Sequence, residues 1–145
     1  MKIKLIIGIA ILSLSIASCN SKLIKIEDSG EISESFDFPD CEQMRIQTLD
    51  GLVIRDTSDL DIITTCNTNN LYIDFENYSI LGLYSDGVCR LILDRKVSIN
   101  PNTKTYSYII KSKDRGLCSS EVFEYNLVKV PAIPDDYTVV FTLED

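Results

Sequence analysis

At 145 residues, with 22 acidic against 14 basic side chains and a formal charge of −8, the chain is sized for one acidic domain. Such a surface repels phosphate backbones and anionic headgroups, which disfavours nucleic acid as a partner. The complete absence of histidine removes Ser-His-Asp and Cys-His nucleophile systems together with every histidine metal site.

The N-terminus has a targeting pattern. Lys2 and Lys4 precede an apolar run from Leu5 to Ile16, and Ile16-Ala17-Ser18 leads into Cys19. A membrane-spanning helix needs roughly 20 apolar residues; the run to Ala17 is shorter and carries Ser13 and Ser15. The segment resembles a bacterial lipoprotein signal, with residues 1–18 cleaved and Cys19 acylated. That resemblance implies an exported body anchored to a membrane through the Cys19 lipid. Asn20 follows the cysteine with no acidic run behind it. By analogy with lipoprotein sorting, this points to the outer membrane, facing the periplasm. Cleavage removes two lysines and no acids, moving the formal charge from −8 to −10.

Four further cysteines remain: Cys41, Cys66, Cys89 and Cys118. In an exported domain an even set implies two disulfides, with three pairings possible. No Cys-x-x-Cys spacing is present, so a zinc site is not expected, and no motif calls for a cofactor.

Residues 19–40 read as a tether. Glu27-Asp28-Ser29-Gly30-Glu31 is polar and acidic, and Leu23 to Ile26 fits a membrane-proximal linker better than a strand. The folded body, residues 41–145, is expected as a single disulfide-braced β-rich domain. Met44, Ile46 and Thr48 alternate, and Asp50-Gly51 offers a hairpin turn before Leu52-Val53-Ile54. Ser58-x-x-Asp61 has the form of a helix N-cap, so a short helix is expected from Asp59 to Cys66.

The remainder reads as strand. Leu71, Ile73 and Phe75 alternate, and Tyr78 to Tyr84 is apolar on both faces, as in a covered central strand. Asp86-Gly87 is expected to turn the chain. Cys89, Leu91, Leu93, Val97 and Ile99 share a face interrupted by Arg95, and Tyr106, Tyr108 and Ile110 share another. Turn chemistry at Asn100-Pro101-Asn102-Thr103 sets Val97 opposite Tyr106 and Arg95 opposite Tyr108. That register places Cys89 opposite Asp114, which favours a Cys89–Cys118 bridge and leaves Cys41 for Cys66. Phe123, Tyr125 and Leu127 alternate before Val128 and Val130 break phase, suggesting a bulge, and Tyr137 to Leu143 forms a last strand. The expected class is α+β and mainly antiparallel: a curved sheet or small barrel of six or seven strands with one short helix.

The succession Ile73-Asp74-Phe75, Tyr78 to Gly82, the long hairpin, then Leu127 to Pro131 before Tyr137 to Phe141 resembles small lipoproteins of gliding and gut-type Gram-negative bacteria. It is more distantly similar to PrcB-type protease-associated β domains, although Asp86-Gly87-Val88-Cys89 stands where that pattern has Gly-Gly-Tyr. The resemblance implies an envelope β domain, with protease association as its most specific form.

Chemistry is sparse. Asp56, Asp59 and Asp61 could supply a glycosidase-type carboxylate pair, but helix capping is the more economical role. Arg95 either points inward to a carboxylate or, as we favour from sequence alone, lies near a sheet edge and snorkels over Tyr108. Asp86 and Arg115 fall in loops near the inferred Cys89–Cys118 bridge and join Arg95 as possible binding residues. The expected function is a non-catalytic, lipid-anchored envelope module that binds a protein. The alternatives are a carboxylate-based hydrolase of envelope polysaccharide and a purely structural lipoprotein.

Overall fold

Period-two alternation builds the centre of the molecule: Leu91–Asn100 (β5) and Thr105–Asp114 (β6) pair as an antiparallel hairpin. The computed structural model describes residues 25–36, 51–63, 72–88, 91–114 and 121–144. Lys25–Gly30 (β1) lies parallel to β5, and Thr138–Glu144 (β8) lies parallel to β6, giving a first sheet of order β1-β5-β6-β8. A second, wholly antiparallel sheet has the order β2-β7-β4-β3. Its strands are Glu34–Phe36 (β2), Leu52–Ile54 (β3), Tyr78–Val88 (β4) and Glu121–Pro131 (β7). One helix, Thr57–Ile63 (α1), completes the described elements.

The two sheets bury their facing sides against each other. Leu81, Leu83, Val128 and Val130 from the second meet Leu93, Val97, Tyr108 and Ile110 from the first. Each such aliphatic side chain is worth about 1.5–3 kcal/mol when fully buried. The outer side of the second sheet is covered too: Leu60 of α1 packs on Ile54, Ile80 and Leu127. The layers are therefore sheet, sheet and helix. The first sheet turns its other side to solvent, with Asp94, Lys96, Ser98 and Lys111 exposed.

The β-rich character and single short helix match expectation; the barrel does not. Two open sheets face each other, and the first mixes parallel and antiparallel pairs. The chain passes between sheets through a corner rather than a continuous ladder. Glu31 N donates to Val97 O in the first sheet at 2.9 Å, and Ser33 N to Lys129 O in the second at 2.8 Å. Gly30 makes that corner possible: its φ is +74°, and a Cβ there would sit 2.0 Å from the Val97 carbonyl oxygen.

Several local expectations change. Residues 25–30 and 34–36 form strands where the polar composition implies tether, because β5 and β7 supply the hydrogen-bond partners the short segments lack alone. Residues 72–77 are not strand: Asp74 turns the chain by accepting from the Glu76 amide and the Asn77 side chain at 3.2 and 2.8 Å. β4 runs straight through Asp86 and Gly87, which pair with Phe123 and Val122. β7 has no bulge against β4. Its apolar phase breaks because both sides are buried, Val128 and Val130 toward the first sheet and Leu127 under the helix layer. The hairpin register is Val97↔Tyr108 and Arg95↔Ile110, with Leu91 rather than Cys89 opposite Asp114. Cys19, Cys41, Cys66, Cys89, Cys118, Arg115 and the 44–48 strand lie outside the described residues.

Candidate functional site

Arg95 points inward. It sits on β5 between β1 and β6, not near a sheet edge, and is 2% exposed. Strand parity forces this, since Leu93 and Val97 on either side face the core, so Arg95 does too. A guanidinium there needs partners, and β1 provides them. The parallel register places Asp28 beside Arg95. Arg95 Nε donates to Asp28 Oδ1 at 2.7 Å and Nη2 donates to Oδ2 at 2.8 Å, the forked geometry that suits arginine and carboxylate. Arg95 Nη2 also donates to Ser35 Oγ, and Ser35 Oγ donates to Asp28 Oδ2 at 3.0 Å. Ser35 belongs to β2, so one buried cation joins strands of both sheets at the edge closed by the Gly30 corner.

The polar cluster continues inward. Tyr108 OH donates to the Asn126 carbonyl at 3.3 Å, and Asn126 Nδ2 donates to Leu83 O and Ser85 Oγ at 3.2 and 2.8 Å. Burial pushes the Tyr108 phenol above the usual tyrosine range, while the adjacent Arg95 charge opposes the shift. Tyr108 is therefore a neutral donor. Ser35 has its proton committed to a chelated carboxylate and a lone pair committed to a cation. A hydroxyl held this way braces strands and is poorly placed to act as a nucleophile.

The carboxylates near α1 are likewise engaged. Asp56 Oδ1 accepts from the Ser58 amide at 2.8 Å, the Ser58 hydroxyl at 2.5 Å and the Asp59 amide at 3.1 Å. Asp59 reaches back to accept from the Arg55 amide at 2.8 Å. The cap is thus Asp56-x-x-Asp59, two residues before the Ser58-x-x-Asp61 pattern, and the helix begins at Thr57 rather than Asp59. The Ser58 hydroxyl and backbone donors hold the Asp56 carboxyl below the usual carboxylate range. Among the described residues, no group of three or more acids, cysteines or histidines could hold a metal ion.

Of the possible binding residues, Arg95 is a buried tie, Asp86 lies within β4, and Arg115 falls outside the described residues. Residue reasoning missed Asp28 and Ser35. Their signal was the unpaired charge of Arg95, which demanded an acid without naming it. The surface offers one further feature. Among the described residues no strand pairs with the outer edge of β8, whose Val140 and Leu143 are 45% and 40% exposed. No helix among the described residues is long and apolar enough to cross a membrane.

No protein-family model, no curated protein and no solved structure matches this chain.

Proposed function

We propose that the chain is a non-catalytic, lipid-anchored binding module of the cell envelope. It is held through acylated Cys19 and engages a protein at the edge of β8. The observation that carries this reading is the closed Asp28–Arg95–Ser35 cluster. The buried Arg95 and the Asp28 and Ser35 side chains that meet it are spent on joining strands, which leaves function to the rest of the surface. β8 supports strand addition: Thr138-Val139-Val140-Phe141-Thr142-Leu143 carries neither lysine nor proline, the residues that ordinarily blunt an exposed edge. Asp56 and Asp59 serve the helix N-terminus, so nothing favours the polysaccharide-hydrolase reading. Association with a protease is the most specific form of the proposal and rests on strand order alone.

Crosslinking in intact cells followed by mass spectrometry is the test. The expected result is one recurrent envelope protein, lost in a Val140→Lys variant that still folds. Turnover of envelope polysaccharide by the purified chain, or crosslinks unaffected by Val140→Lys, would overturn it. An unprocessed N-terminus in intact-mass data would remove the anchor.

A further inference from the structure

The strand directions and the covalent reach of the chain fix how such a domain stands on its membrane. This step rests on acylation of Cys19. Five residues, and so six Cα–Cα steps, separate Cys19 from Lys25, the first residue of β1. Whatever their conformation, they span at most roughly 20–22 Å. Lys25 pairs with Ile92, near the start of β5, and β1 runs parallel to β5. The same end of the sandwich holds Leu91 and Asp114, which pair with each other, and Val88 and Glu121, which do likewise. Lys111 and Glu144 meet toward this end in an ion pair of 2.7 Å. The opposite end lies eight strand positions further along β5, roughly 25–30 Å away. It carries the Asn100–Thr105 turn and the start of β8, where Thr138 N donates to Lys104 O at 2.9 Å.

We infer that the Lys25 end of the sandwich faces the bilayer and that the Asn100–Lys104 turn points into the aqueous compartment. The occupant of the Lys25 end is the lipid surface itself, held there by the shortness of the link. Two consequences follow for partners. Asp86, toward the Lys25 end of β4, is on the membrane side and is a poor place for a large protein to dock. The β8 edge runs from Thr138 at the outer end to Glu144 at the membrane end, so it stands along the bilayer normal, and no strand among the described residues covers it. Among the described residues at that end, Asn102, Thr103 and the Lys104–Asp136 pair at 2.5 Å present polar groups.

The test uses the full, acylated chain in phosphatidylcholine–phosphatidylethanolamine vesicles containing an acceptor-labelled lipid. A genetically encoded fluorescent residue replaces either Lys113 or Asn102, both exposed. Energy transfer to the lipid is expected to be several-fold stronger from position 113 than from position 102. Equal transfer, or stronger transfer from 102, with the protein still floating with the vesicles, overturns the orientation and leaves the anchor intact. Failure to float with the vesicles overturns the anchor, and the orientation falls with it.

Discussion

Asp28 and Arg95, 67 residues apart in the chain, meet through paired hydrogen bonds of 2.7 and 2.8 Å and tie the first strand to the centre of its sheet. Removing Asp28 leaves the buried Arg95 guanidinium without its acid, and removing Arg95 leaves a partly covered carboxylate unpaired. The Asp28 side chain is 26% exposed, so the loss falls somewhat below that for a fully buried pair, at roughly 2–4 kcal/mol. Asp28→Asn and Arg95→Met are each expected to lower the unfolding free energy, read from urea titration, by this amount. The Asp28→Leu, Arg95→Met double variant recovers most of the loss, because apolar pairs often replace buried ion pairs without cost. Additive losses in the double variant would contradict the account.

Gly30→Ala tests the corner between the sheets. The substitution meets both a left-handed backbone and the Val97 carbonyl oxygen. A loss of at least about 2 kcal/mol is expected, since neither obstacle yields to side-chain adjustment. A thermal melt reads this directly, and an unchanged midpoint would mean that the corner is not as described.

These two sites mark where sequence reasoning reached its limit. The faces of β5 and β6 were legible because period-two alternation survives any even shift. The register was off by two because Asn100 supports a later turn: its side chain accepts from the Asn102 and Thr103 amides at 3.1 and 3.3 Å, and Lys104 takes a positive φ of 50°. β1 was illegible as a strand. Lys25-Ile26-Glu27-Asp28-Ser29-Gly30 has linker composition, and its reason for pairing is a buried cation far along the chain. The tie itself was half legible: an arginine inside an apolar face requires an acid, but no local pattern says which.

Asp56 gives an acid-side prediction. Its carboxyl is held below the usual value by the Ser58 hydroxyl and the helix amides, so the fold favours the ionised form. That stabilisation is present above about pH 4 and fades as pH falls through the lowered folded value. Asp56→Ala is expected to be less stable than the parent at neutral pH, with the difference shrinking toward pH 2. Asp56→Asn retains a cap without the titration. Midpoints measured across this range check both, and a difference independent of pH would contradict the assignment.

Tyr125 gives the alkaline counterpart. Its hydroxyl is buried without a hydrogen-bond partner among the described residues, and burial pushes the phenol up to about 12. The unfolded phenol ionises near pH 10, so between about 10 and 12 the unfolded state holds fewer protons and stability falls. Tyr125→Phe is expected to be neutral or stabilising at pH 7 and to soften the alkaline loss, because it removes an unsatisfied polar atom. Tyr108→Phe, which gives up a buried bond to the Asn126 carbonyl, is expected to cost about 1 kcal/mol at pH 7. Phenolate absorbance during alkaline unfolding distinguishes the two.

Hydrogen exchange at the backbone amides of residues 25–30 tests the central claim, that this N-terminal segment is a structural strand latched by Arg95. The account expects amides hydrogen-bonded to β5 to be protected by several orders of magnitude in the full chain and to lose that protection in Arg95→Met. Exchange at the unstructured rate in the parent protein would show that the segment is a tether and would contradict the fold, the latch and the membrane-facing end together.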